Sequence, residues 1–153
     1  MITRLLSRAI EKSPKSVLVL GPRQVGKSTL LLGLKPDLSI NLADQTEFIH
    51  FTSNPDELNS RIEQAKAKIV FIDEIQRIPE ILNSVQVIID RKKAEIKFLL
   101  SGSSARKLRR GSANLLPGRL FNYRLGPLSC LELDCKMDSL KALSLGCMPE
   151  PYF

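Results

Sequence analysis

Histidine and tryptophan are almost missing from this sequence, with one His (His50) and no Trp in 153 residues. Cysteine is sparse: Cys130, Cys135 and Cys147 are odd in number, lack Cys-x-x-Cys spacing and cluster near the C-terminus. That set argues against a disulfide framework and against a His/Cys metal centre, and reduced cytosolic thiols are the simpler reading. No stretch approaches the ~18 continuous apolar residues of a membrane span. The first residues also lack the apolar core and cleavage site of a secretory signal. Instead Ile2, Leu5, Leu6, Ala9 and Ile10 fall on one helical face. Acids are in deficit, 16 Asp and Glu against 23 Lys and Arg, for a net charge of +7.

What remains is ordinary for a soluble globular domain, 43% hydrophobic and 25% charged. The length suits one domain with a real core. The basic surplus is local. From Arg91 to Arg124 stand ten Lys and Arg against Glu95 alone, a surplus of nine in a chain whose total is +7. This segment reads either as a surface for nucleic acid or a neighbouring subunit's nucleotide, or as a solvated face. No aromatic interleaves with Arg106 to Arg110, which weakens a base-stacking role.

The run Gly21-Pro22-Arg23-Gln24-Val25-Gly26-Lys27-Ser28-Thr29 contains the complete pattern G-x-x-x-x-G-K-[ST]. Such a loop lets the backbone wrap closely around phosphates, with successive N–H groups turned toward negative charge. The following helix adds the positive end of its dipole. Lys27 would reach the β- and γ-phosphates, and the Ser28 hydroxyl would ligate Mg²⁺. Context supports the match: Ser16 to Leu20 is a run of strand length, apolar without interruption from Val17, and Thr29 to Leu34 can continue as a buried helix.

Strand and helix patterns alternate, which predicts an α/β fold with a mostly parallel sheet. Further strands are expected at 38–42, 68–72, 96–100 and around 120–125. A helix is expected from Pro55 to about Ala67, capped by Ser53 or Asn54. Another carries Ile78, Ile81, Leu82, Val85, Ile88 and Ile89, with Pro79 in its first turn. The third strand ends in Asp73-Glu74. Asp73 would hold Mg²⁺ and Glu74 would polarise the attacking water. Paired acids point to a water-activating ATPase, and no Asn-Lys-x-Asp guanine-reading motif occurs. The fourth strand runs into Ser101-Gly102-Ser103-Ser104. Ser103 reads equally as a γ-phosphate sensor and as part of a helix cap and turn.

Together these motifs resemble the AAA+ superfamily. More narrowly, the chain is similar to the prokaryotic AAA ATPases that usually carry a C-terminal domain of unknown function. The resemblance rests on Gly21 to Thr29, Phe71-Ile72-Asp73-Glu74-Ile75-Gln76 and Leu100 to Ser104. It extends to Leu116-Pro117-Gly118-Arg119 before Pro127-Leu128-Ser129, and to Gly146-Cys147-Met148-Pro149-Glu150. It implies a P-loop NTPase, three layers α/β/α, with a five-stranded sheet in the order 5-1-4-3-2 and ATP and Mg²⁺ as cofactors. It also implies a leading helix (1–13), a core (14–126) and the start of a truncated C-terminal extension (127–153). Arg119 matches a position that can serve as an arginine finger on a neighbour's nucleotide, or is a surface residue. The expected function is Mg²⁺-dependent ATP hydrolysis coupled to conformational change, in the cytoplasm, with self-association. The alternatives are a nucleotide-binding module with little turnover for want of a lid, and a nucleic-acid-dependent ATPase that binds weakly through 91–124.

Overall fold

The five segments expected as strands form one parallel sheet. The computed structural model describes residues 3–91, 95–103, 108, 116–133, 135 and 138–149. The strands are β1 (Ser16–Leu20), β2 (Leu38–Asn41), β3 (Ile69–Asp73), β4 (Lys97–Gly102) and β5 (Leu120–Arg124). Their order is β2-β3-β4-β1-β5, and every pairing is parallel. This is the expected order read from the other edge. The helices are α1 (Leu5–Glu11), α2 (Lys27–Leu32), α3 (Gln45–Ser53), α4 (Glu57–Ala65), α5 (Ile81–Arg91) and α6 (Ser139–Leu145). None is long and apolar enough to cross a membrane among the described residues.

Side-chain alternation sorts the core into two layers. Val17, Val19, Phe71 and Leu99 pack with Ile10 of α1 and Leu30 and Leu31 of α2. Leu18, Ile40, Val70, Ile72, Phe98 and Leu100 meet Phe51, Leu58, Ile62, Leu82 and Val85 of α3, α4 and α5. Helices therefore cover both faces, which is why the central strands are unbroken apolar runs.

Polar side chains fix the strand starts. Asp37 accepts the backbone N–H groups of Lys68 and Ile69, each at 2.8 Å. Those bonds hold its carboxyl below the usual range. Lys97 donates to the carbonyls of Ile10 and Ser13, both at 2.9 Å, and so fastens the end of α1 to the start of β4. Burial lowers its pKa.

Several boundaries differ from the sequence expectation. α3 was not foreseen; Asp44 caps it by accepting from Thr46 N at 2.7 Å and Glu47 N at 3.1 Å. Ser53 ends α3 and Asn54 is its C-cap, so neither caps α4, which begins at Glu57 rather than Pro55. A 3-10 turn at Ile75–Arg77 delays α5 to Ile81, leaving Pro79 ahead of the helix. β3 runs through Asp73 itself, and β4 extends to Gly102. Beyond β5 the chain packs back on the core: Leu128 is buried and donates its N–H to Cys147 O at 2.7 Å.

Candidate functional site

At the carboxyl end of β1 the chain must leave the sheet beside β5. Only glycine fits at position 21, where a Cβ would stand 2.0 Å from the Leu125 carbonyl oxygen. The loop then turns through two left-handed residues, Gln24 (φ 63°) and Gly26 (φ 87°), before α2 starts at Lys27. Alternation of ordinary and left-handed residues turns successive N–H groups to one side, the concavity that anions occupy. Val25, fully buried, anchors the loop in the core. From behind, the Arg4 guanidinium donates to Val25 O at 2.7 Å.

Lys27 is 4% exposed, and its ammonium donates to the carbonyls of Gly21 (3.0 Å) and Pro22 (2.7 Å). Burial lowers its pKa, an effect opposed by the carboxylates of Glu74 and Asp73 and reinforced by Arg23. Asp73, 9% exposed, closes β3. Its Oδ1 accepts from the Ser101 hydroxyl and, at 3.1 Å, from the Glu74 N–H. That same N–H also reaches Ser101 Oγ at 3.2 Å. Glu74 itself is left-handed, at φ 56° and ψ 43°.

These elements enclose a cleft of about 980 Å³ at the carboxyl edge of the sheet, where open α/β sheets bind ligands. Arg23, Gln24, Gly26, Lys27, Ser28 and Thr29 line one wall. Glu74 and Ser103 line the cleft as well, while Gly21, Pro22 and Val25 complete the loop. A Cβ on Gly26 would meet nothing within 4 Å, so the loop is open on that side. The donors near the loop are the Ser28 hydroxyl and two carboxylates, a hard oxygen set of the kind Mg²⁺ takes. The residues present thus fit a Mg²⁺-nucleotide.

Arg119 lies elsewhere. It precedes Leu120, which pairs with Ser16 at the start of β1, so it sits on the amino edge of the sheet, opposite the cleft. There it makes a bidentate pair with Asp90, at 2.7 and 3.0 Å. The pair raises the arginine's pKa and lowers the aspartate's. Of the basic segment, Lys92, Lys93, Arg106, Lys107, Arg109 and Arg110 fall outside the described residues, as does Ser104.

Sequence reasoning missed three contributors. Arg77 stacks over Phe48 at 4.7 Å from the ring centroid, and both line the cleft from the α3 side. Gln76 carries no chemical signal of its own in the sequence; its carboxamide contacts both Glu74 and Ser103. Arg4 offered no local signal, since its partners lie far along the chain.

The sequence model of the family described as an AAA domain matches residues 13–133. The chain belongs to that family. As an AAA domain it carries a nucleotide-binding P-loop ATPase core. Two uncharacterized mycobacterial proteins, Rv2008c of Mycobacterium tuberculosis and Mb2031c of Mycobacterium bovis, are each 30% identical to it over 131 residues. The match covers 84% of this chain and 28% of theirs, so the AAA domain described here spans little more than a quarter of those relatives' length. Among solved structures, C. elegans PCH-2 aligns with a TM-score of 0.54 at 18% identity, over 83% of this chain and 40% of its own. A structure of two coordinating Pif1 helicases at forked dsDNA aligns at 0.51 and 14%, over 84% and 45%. At these identities the likeness is one of fold.

Proposed function

We propose that the cleft binds ATP with Mg²⁺ and hydrolyses it, and that turnover drives a conformational change in a larger cytoplasmic assembly. The observation that carries this reading is that Lys27, Ser28 and Glu74 line one cleft, with the buried Asp73 near enough to Lys27 to act on its charge. Lys27 would exchange its two loop carbonyls for oxygens of the β- and γ-phosphates, an exchange made favourable because both acceptors become charged. Ser28 and Asp73 would hold Mg²⁺, which supplies charge neutralisation when bound. Glu74 would accept the proton of the attacking water, and Ser103 would contact the γ-phosphate side. Working alongside a C-terminal domain is part of the same proposal.

Titration calorimetry with ATP and ADP, with and without Mg²⁺, combined with single-turnover hydrolysis, tests it. Glu74→Gln is expected to bind ATP and hydrolyse none, because an amide cannot take the water's proton. Asp73→Asn is expected to weaken Mg²⁺-dependent binding instead. Exchanged phenotypes would reverse the assignment of the two acids. Binding without turnover in the parent would leave a nucleotide-binding module.

The surplus of nine positive charges in 91–124 favours a second reading, hydrolysis stimulated by nucleic acid. Stimulation by DNA or RNA that falls steeply with salt would support it.

A further inference from the structure

We infer that Gln76 is a positioning residue for hydrolysis: its carboxamide fastens the Glu74 carboxylate to Ser103, so that one side chain sets both the base and the loop that faces the γ-phosphate. This rests on the reading of Glu74 as the base.

The geometry begins in the backbone. Glu74 is left-handed and the next three residues form a 3-10 turn, so the chain doubles back at the end of β3. Ile75 plugs the core, fully buried, and Gln76 is returned to the side of the sheet where β4 ends. Its Nε2 donates to Glu74 Oε2 and, at 3.0 Å, to Ser103 Oγ. Its Oε1 accepts the Ser103 backbone N–H at 3.0 Å. The Ser103 hydroxyl closes the ring by donating to Glu74 Oε2 at 3.3 Å. Donor and acceptor ends of one amide are thus both used, which neither Glu nor Met at position 76 could reproduce.

Two consequences follow. Both bonds to the carboxylate fall on Oε2, so among the described residues Oε1 is the oxygen left to receive a proton. And the tip of β4 is bare where the carboxamide lies: a Cβ on Gly102 would stand 2.9 Å from Gln76 Oε1 and would displace the amide from this position. Gly102 thus leaves room for the amide of Gln76 beside the Ser103 N–H. A carboxylate held by two donors loses the rotamer freedom that a partly exposed Glu otherwise keeps, and the orientation of a base is worth rate rather than affinity.

The full chain, as parent, Glu74→Gln, Gln76→Met and Gln76→Glu, is assayed for ATP affinity and single-turnover rate, and Ser103 amide exchange is followed by NMR. Gln76→Met should slow hydrolysis about 10–100-fold, the usual effect of losing a residue that orients a site group. ATP affinity should stay within about threefold, and the Ser103 amide should exchange several-fold faster. Gln76→Glu keeps an acceptor for the Ser103 N–H but loses the donor to Glu74. It should therefore retain the amide protection and still lose the rate. A parental rate in Gln76→Met, where Glu74→Gln is inactive, overturns the inference, as does a loss of affinity equal to the loss of rate. Hydrolysis indifferent to Glu74 instead overturns the reading of Glu74 as base. Amide exchange then decides whether Gln76 still orders the sensor loop, and equal exchange in parent and Gln76→Met overturns that too.

Discussion

Two residues that shape the cleft sit in the left-handed region without being glycine: Gln24 at φ 63° and Glu74 at φ 56°. That conformation costs a non-glycine residue on the order of 1–2 kcal/mol, so it persists where the surroundings over-determine it. At Glu74 the backbone N–H is held by Asp73 and Ser101, and the carboxylate by Gln76 and Ser103. Lys27 is constrained in another way, buried and bonded to two carbonyls of its own loop. Lys27→Ala is expected to abolish measurable ATP binding in calorimetry. Its melting temperature should change little, because burying an ammonium costs about what its bonds return. Unchanged ATP affinity would remove the phosphate-loop assignment.

At the scale of elements, the loop at 21–28 is held from two sides. Gly21 lets β1 pass against the end of β5, and the clash of an added Cβ is with backbone, which cannot swing aside. Gly21→Ala should cost about 3 kcal/mol or more, visible as a lowered denaturant midpoint. Arg4 is the second holder. Its guanidinium joins Val25 O to the carbonyl of Gly126 at 2.7 Å and to Glu132 Oε1 at 2.8 Å, so loop, α1 and the segment after β5 meet on one buried side chain. Burial alone would raise the Glu132 pKa; the Ser129 and Leu5 N–H groups and Arg4 outweigh it, and the net shift is downward from 4.5. A lowered carboxylate pKa contributes stability that is full above about 4.5 and is lost as pH falls through the folded value. Glu132→Gln should therefore lower stability at pH 7 by about 1–3 kcal/mol. The gap to the parent should close below pH 4.5, and thermal melts across pH 2–7 check it. A gap that stays constant in acid would mean that the ion pair contributes nothing.

For the whole molecule, the question is whether one chain suffices. Arg119 and the cleft occupy opposite edges of the same sheet, so Arg119 reaches a nucleotide only in another copy. In that role it would have to leave Asp90, an exchange made easy by the exposure of both groups. An arginine supplied in trans is worth ~10³–10⁵ in rate in the best-studied P-loop enzymes. Arg119→Ala is expected to bind ATP normally and hydrolyse slowly, and mixing it with Glu74→Gln should restore part of the activity. Rate per subunit that is independent of concentration, with no rescue on mixing, would return Arg119 to the role of a surface partner of Asp90.

The Gly-rich turn at 21–28, the paired acids at the end of β3 and the order of the five strands were legible in the sequence. All of these are written in neighbouring residues: glycines where the backbone must turn, and unbroken apolar runs where strands are covered on both faces. It was less informative where local signals compete. α3 is weakly amphipathic and rests on the Asp44 cap and the burial of Phe51, so it left no clear period to read. The start of α4 was misread because Ser53, Asn54 and Pro55 form a plausible cap in isolation, whereas α3 claims the first two. Which polar groups meet is set by tertiary packing. Arg4 and Glu132 are 128 positions apart, Gln76 and Ser103 are 27, and Asp90 and Arg119 are 29. Hydrogen bonds depend on proximity in space, and proximity here is created by parallel pairing, which joins strand ends that the chain keeps far apart.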